Sequence, residues 1–198
     1  MNEARYAIIL CGGKSSRMGR PKALLKVGGI ALLTRVCDSL SGVVSRIIVV
    51  SAPGQDLPKL ESGVEIVEDD ISHSGPLAGL SRGYEALERT DGHTFVVGCD
   101  YPFLTKPFLI GLLAKVGDAD VAVVASDRPQ PLGAWYRTSV LDLASDLIVK
   151  GEKRLSRLLS DLSVREVEEE ELAGHDPGKA TFSINTPDEL EQAESIVR

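Results

Sequence analysis

The sequence predicts an α/β protein: a three-layer α/β/α arrangement about a Rossmann-like, mostly parallel twisted sheet. Three observations carry that expectation. Short apolar runs recur without polar alternation, as a sheet covered on both faces requires. Segments with apolar residues at three- and four-residue spacing lie between them, as amphipathic helices do. The order strand, helix, strand repeats, which implies βαβ units with right-handed crossovers.

Taken in order, Tyr6–Cys11 (YAIILC), Ser45–Ser51 (SRIIVVS), Val64–Val67, Thr94–Gly98 and Asp120–Ala125 (DVAVVA) are expected as strands. Ala31–Leu40, Leu77–Arg89 and Lys106–Val116 are the intervening helices. Beyond about residue 130 the pattern loosens, with a strand near Leu132–Arg137, helices over Ser139–Val149 and Arg154–Asp161, and a strand at Val164–Val167. The acidic run Glu168–Glu171 fits a solvated helix start. A last helix begins after Thr186, the N-cap, with Pro187 in the first helical position and Asp188 and Glu189 in the first turn.

A chain of 198 residues without linker, repeat or low-complexity segment is expected to be one domain, residues 1–198. At 43% hydrophobic and 26% charged residues it has the balance of a soluble protein, with no apolar stretch near the roughly 20 residues that span a bilayer. The opening MNEARYAIILCGGKSSR lacks the features of a secretory signal, so a cytoplasmic location without membrane partner is expected. Cys11, Cys37 and Cys99 are widely spaced and imply no disulfide framework. With His73, His93 and His175 they offer no zinc-site spacing.

The net charge of −7 argues against nucleic-acid binding. Its distribution is uneven: from Ala4 to Cys37 there is no acidic residue, where proportion would place about five. Arg5, Lys14, Arg17, Arg20, Lys22, Lys26 and Arg35 all fall there. That bias fits a bound polyanion of modest size, or simply a solvated basic face.

The first strand runs directly into a glycine-rich loop, LCGGKSSRMGRPK over Leu10 to Lys22. Glycines at a strand's carboxyl end let backbone N–H groups approach phosphate oxygens, and open α/β sheets bind ligands at that edge. Spacing excludes two familiar phosphate loops. A Walker A loop needs glycine five residues before Gly13-Lys14-Ser15, where Ile8 stands, and the loop contains no Gly-x-Gly. What remains is Gly12, Gly13, Arg17, Gly19 and Lys22, a glycine loop carrying two cations suited to a triphosphate.

This segment resembles the L-A-G-G-x-S-x-R-M-G-x-x-K signature of the small nucleotidyltransferases, and within them the molybdenum cofactor guanylyltransferases (MobA). Cys11 stands where that family usually has alanine. Three further segments strengthen the resemblance. Asp69 precedes Gly75-Pro76-Leu77-Ala78-Gly79 as in the family's D-(x)₅-G-P-L-A-G element, which lies near guanine and ribose. Cys99-Asp100-Tyr101-Pro102-Phe103 is similar to its C-D-x-P-F/Y element, implying Asp100 as the metal ligand; an Asp after a buried strand sits at the sheet's ligand edge. Phe182-Ser183-Ile184-Asn185-Thr186-Pro187 resembles F-x-N-I-N-T-P, with Ser183 in place of the first Asn. Asn185 then belongs either to the metal or acceptor site or only to a strand entering a capped helix.

Pro129–Leu132 and Lys150–Leu155 match weaker family segments of the pterin-binding half. Lys153 and Arg154 either meet the acceptor phosphate or are exposed helix-start residues.

The resemblance implies a nucleotide-binding half over about 1–105 and an acceptor-binding half over about 106–198. It implies Mg²⁺-dependent transfer of GMP from GTP to the phosphate of molybdopterin, with release of pyrophosphate. Arg17, Lys22 and Asp100 would be catalytic, Asp100 holding the metal; Leu10, Cys11, Gly12, Gly13, Lys22, Asp69, Gly75 and Asp100 would bind the nucleotide. Transient contact with molybdoenzymes or other cofactor-synthesis proteins is a further implied partnership. Transfer from CTP or to a sugar phosphate, and a non-catalytic GTP-binding regulator, are the alternatives. In a doubly wound sheet the first and fourth strands are often neighbours, so Cys11 and Cys99 are expected close together, where their oxidation would inhibit.

Overall fold

The computed structural model describes residues 3–12, 20–69, 75–88 and 91–197. The chain forms β1 (Arg5–Leu10), a 3₁₀ turn (Lys22–Leu24), a short hairpin of β2 (Lys26–Val27) and β3 (Ile30–Ala31), and α1 (Leu32–Leu40). It continues through β4 (Arg46–Ser51), β5 (Val64–Glu68), α2 (Pro76–Leu87), β6 (His93–Gly98) and α3 (Lys106–Leu113). The remainder comprises β7 (Val121–Val124), β8 (Ala134–Arg137), α4 (Leu143–Val149), α5 (Ser156–Leu159), β9 (Val164–Val167), α6 (Pro177–Ala180) and α7 (Pro187–Ile196).

Among the described residues seven strands form one sheet in the order β5-β4-β1-β6-β8-β7-β9. β1 is its hub. Tyr6 to Leu10 register against Arg46 to Val50, and Arg5 to Leu10 against His93 to Gly98, both in parallel. β8 runs antiparallel to both neighbours, β6 and β7. The sheet is therefore mostly parallel, as expected.

Alternation along β1 builds the three layers. Ala7 and Ile9 face Leu33, Val36 and Leu40 of α1 and Phe108, Leu109 and Leu112 of α3. Tyr6 and Ile8 face the opposite layer, with Leu77, Leu80 and Leu87 of α2 and Leu147 of α4. Each large apolar side chain buried this way stabilises by about 1.5–3 kcal/mol. Both layers pack tightly: a Cβ on Gly83 would lie 2.6 Å from Ile8 Cγ2, so only glycine lets α2 come this close to β1.

A third, smaller cluster decides the geometry of the site. Leu25, Val27, Leu32, Phe103, Ile184 and Ala193 pack together. They tie the segment after Lys22, the loop after β6 and α7 to one another.

Several expectations are corrected. The β2–β3 hairpin was not foreseen. Phe182–Asn185 joins no strand; instead the Ile184 N–H donates to the Asp100 carbonyl at 2.9 Å, so the loop after β6 replaces a sheet neighbour. The helix expected over Ser139–Val149 opens with a 3₁₀ turn, Thr138–Asp142, and that over Arg154–Asp161 contracts to α5. The acidic run forms a 3₁₀ turn, Glu169–Leu172, closed by a capping box between Glu168 and Glu171. No helix among the described residues is long and apolar enough to cross a membrane.

Candidate active site

From β1 the chain moves outward to β4 and β5, then returns through α2 to β6 on the other flank of β1. That reversal places a topological switch point at the carboxyl ends of β1 and β6, where open α/β sheets bind ligands. Leu10, Cys11 and Gly12 end one strand; Cys99 and Asp100 end the other. The Cys99 N–H donates to the Leu10 carbonyl at 3.1 Å and so locks the two ends together.

Asp100 and Lys22 meet there. Lys22 opens the 3₁₀ turn, and buried Ala23 and Leu25 anchor it from behind. Its Nζ donates to Asp100 Oδ2 at 2.6 Å and to Asn185 Oδ1 at 2.8 Å. The lysine and aspartate side chains are 21% and 15% exposed, so the pair is shielded but reachable. Gly98 makes room for the carboxylate, since a Cβ there would collide with Asp100 Oδ1.

Asn185 is fixed by its own surroundings. Its Nδ2 donates to Ser183 Oγ at 3.1 Å, so the residue that replaces the family's first Asn still has a polar contact here. Glu189 accepts the backbone N–H of Asn185 at 2.6 Å and that of Thr186 at 2.8 Å, while Thr186 Oγ1 accepts the Glu189 N–H at 3.3 Å. The Asn185 N–H is the main reason the Glu189 carboxyl is held below its ordinary pKa. Of the two readings of Asn185, its contact with Lys22 favours a place in the site. Glu189 is a residue that sequence reasoning saw only as a first-turn acid. The Thr186-to-Glu189 capping-box spacing was the signal that could have found its grip on Asn185.

Other sequence-predicted positions lie further along the same edge. Asp69 follows β5, three strands from β6, and its N–H donates to the Ser51 carbonyl at 2.8 Å. At about 4.8 Å per strand it stands about 14 Å from Asp100 across the sheet, a span suited to an extended nucleotide. Gly75 caps α2 with φ of 97°, and a Cβ there would come within 2.9 Å of the Lys153 carbonyl. The glycine thus seats the Lys153 segment against the start of α2. Arg154, by contrast, is engaged locally. Its guanidinium pairs with Glu152 at 3.0 Å, and this bond leads the contacts that pull the Glu152 carboxyl down to about 2. Gly13 and Arg17 lie outside the described residues.

The Gly12 N–H donates to the Val50 carbonyl at 3.2 Å and ties the start of the loop to β4. The need for glycine there is close approach: a Cβ would lie 3.2 Å from the Ala52 nitrogen.

The cysteines are neighbours, as the strand order implies. Cys11 beside it, then burial, pushes the Cys99 thiol well up. Both are buried. Since the thiolate is the oxidisable form, Cys99 is poorly suited to rapid oxidation.

On the far side of Asp100 a cleft of about 180 Å³ opens between the ends of β7 and β8, lined by Tyr101, Ser126, Gln130, Leu132, Glu169 and Thr181 among others. Burial, then the Asp100 charge, pushes the Tyr101 hydroxyl up, so it is a neutral donor. Among the described residues no group of three or more His, Cys, Asp or Glu could hold a metal alone.

Known proteins resemble this chain in sequence and fold. The family model described as the MobA-like NTP transferase domain matches residues 7–167. A protein of Bacillus velezensis named probable molybdenum cofactor guanylyltransferase is 32% identical, over 93% of this chain and 92% of its own. One of the same name from Mycobacterium tuberculosis is 33% identical over 77% of each chain. Among solved structures, molybdopterin-guanine dinucleotide biosynthesis protein A from Archaeoglobus fulgidus superposes with a TM-score of 0.79 at 27% identity, covering 98% of both chains. The 2-C-methyl-D-erythritol 4-phosphate cytidylyltransferase of Thermus thermophilus shares the fold, with a TM-score of 0.72 at 21% identity over 96% of this chain and 98% of its own. The chain belongs to the MobA-like NTP transferase family and is a nucleotidyltransferase.

Proposed function

We propose that this nucleotidyltransferase acts in molybdenum-cofactor biosynthesis, moving GMP from GTP to the terminal phosphate of molybdopterin and releasing pyrophosphate. The observation that carries this reading is the cation cradle at the switch point, where Asp100 Oδ2 and Asn185 Oδ1 hold one ammonium between them. The names of the relatives supply the base and the acceptor.

In the reaction an oxygen of the acceptor phosphate attacks the α-phosphorus of GTP, and the bond to the bridging oxygen of pyrophosphate breaks. The acceptor is already ionised, so no strong general base is needed. Catalysis then rests on alignment and charge neutralisation. Lys22, and by resemblance Arg17, neutralise charge that builds on the triphosphate oxygens. Asp69 and Gly75 bound the nucleoside end of the site, with Leu10, Cys11 and Gly12 between and Gly13 joining them by resemblance. The cleft beside Tyr101, Gln130 and Thr181 is the proposed seat of the acceptor, in keeping with an acceptor half over about 106–198. Lys153, seated against Gly75, lies on the nucleotide's flank of the groove.

The donor set suits Mg²⁺. One carboxylate and one amide oxygen already converge on a cation, and magnesium usually takes one or two carboxylates and completes its shell with phosphate oxygens and water. Bound at Asp100, it would supply Lewis-acid stabilisation of the reacting phosphate. Pyrophosphate release with GTP, Mg²⁺ and molybdopterin tests the reading. A preference for CTP would leave the chemistry and overturn the base; turnover only with a sugar phosphate would overturn the acceptor.

A further inference from the structure

The Lys22 ammonium occupies a place suited to a metal ion. Its Nζ lies 2.6 Å from Asp100 Oδ2 and 2.8 Å from Asn185 Oδ1, one anionic and one neutral oxygen. These are the hard donors that magnesium uses. Both residues are also held by groups other than the lysine. Asp100 ends a fully buried strand, and its carbonyl is held by the Ile184 N–H. Asn185 is held through its backbone by Glu189 and through its side chain by Ser183. The cradle is therefore built by the fold, and a cation fills it.

An ammonium and a divalent ion cannot share that cradle. The two charges would sit within a few ångströms of each other in a site only 15–21% exposed, where water screens them weakly. Removing the lysine with nothing in its place would leave the Asp100 carboxylate shielded and unpaired, which is costly. The flexible four-carbon stem of a lysine allows a third course: the ammonium moves a few ångströms toward a new anion as another cation arrives.

We propose that Lys22 is a displaceable occupant of the cation site, so that a divalent ion enters between Asp100 and Asn185 only as the triphosphate of the nucleotide draws the ammonium onto its own oxygens. Metal and nucleotide then bind as a unit. At every stage the carboxylate has a cation and the ammonium has an anion. Free metal ion binds weakly before nucleotide, and nucleotide without metal binds without fully releasing Lys22 from Asp100. The inference rests on Asp100 being the metal ligand.

The test reads metal binding rather than turnover. Mn²⁺, visible by electron paramagnetic resonance, is titrated into the wild-type protein and into Lys22→Met, with and without GTP. Without nucleotide, Lys22→Met is expected to bind Mn²⁺ at least about tenfold more tightly than wild type, because the competing charge is gone. GTP should then sharpen Mn²⁺ binding far more in wild type than in the variant. Lys22→Gln, neutral but polar, serves if the methionine variant fails to fold. Equal Mn²⁺ affinity without GTP in wild type and both variants overturns the proposal. Asp100→Asn, placed in the wild type and in Lys22→Met, separates the two possible failures. If wild type binds Mn²⁺ tightly without GTP and Asp100→Asn abolishes it, the metal assignment stands and the displacement idea falls. If Asp100→Asn leaves Mn²⁺ binding in Lys22→Met unchanged, the metal assignment itself falls, and the inference with it.

Discussion

The two flanks of β6 are built on different plans. On one side β5, β4, β1 and β6 run parallel, with α1 between β1 and β4, α2 between β5 and β6, a helix-free connection from β4 to β5, and strands of five or six residues. On the other, β8 runs against its neighbours, the strands have four residues, and α4 and α5 have seven and four. The regular flank carries Leu10, Gly12, Asp69 and Gly75. The irregular flank carries the cleft beside Tyr101 and Thr181. The difference teaches how one fold can hold a constant reaction and a variable acceptor. Parallel strands position the groups proposed to handle the triphosphate, while short strands and loops frame the proposed acceptor cleft. The seam is the Lys22–Asp100–Asn185 cradle, which draws two members from the regular flank and one from the chain's last segment.

Breaking the seam should produce the largest effects. Lys22→Ala removes the cation that meets the triphosphate, and a loss on the order of 10²- to 10³-fold in kcat/KM is expected, read by pyrophosphate release. A loss below threefold would detach the cradle from the chemistry. Glu189→Ala frees the backbone of Asn185 and removes the capping box. It should lower activity by roughly tenfold and stability by about 1 kcal/mol in urea melts. Glu189→Gln can still form the box and should recover most of both; unchanged activity in Glu189→Ala would show that Asn185 needs no such support.

A smaller effect is expected where the flanks touch. Gly75→Ala places a Cβ against the Lys153 carbonyl at a φ of 97°, and should destabilise by about 1–3 kcal/mol while raising the KM for nucleotide more than it lowers kcat. An unchanged KM would separate Gly75 from the nucleoside end of the groove.

The smallest effect lies at the opposite edge of the sheet, at the start of β6. Burial holds the His93 pKa below its ordinary 6.5. The unfolded chain therefore binds a proton at His93 that the folded chain resists, so this residue's contribution falls as pH drops through the region near 6.5. The pH dependence of stability between about pH 5 and 7 should be shallower in His93→Gln than in wild type, with turnover unaltered. Identical slopes would remove His93 from the account.

The regular flank was also the legible one. Runs such as YAIILC and RIIVVS announce buried parallel strands because both faces must be apolar, and the helices between them show their period. Adjacency of Cys11 and Cys99 followed from topology. The irregular flank announced its elements but not their directions: nothing local in AWYR says that β8 turns antiparallel, since pairing partners lie elsewhere in the chain. The site divided in the same way. Asp100 and Lys22 were readable from their motifs, but their meeting joins positions 78 apart, and Lys22 reaches Asn185 across 163. Contacts of that range leave no period in the sequence. Gly12 shows the limit of a glycine motif: it reports that the backbone must come close to something, and here a Cβ would lie 3.2 Å from the Ala52 nitrogen.

The most direct test of the central claim is pyrophosphate release by the wild-type protein with molybdopterin and Mg²⁺, comparing GTP, CTP and ATP, with Asp100→Ala alongside. The account predicts turnover with GTP well above the other two nucleotides, and a loss of roughly 10³-fold in Asp100→Ala, the size that removal of several kcal/mol of charge stabilisation brings. Full activity in Asp100→Ala, or no turnover with any nucleotide in a folded protein that still binds GTP, would contradict it.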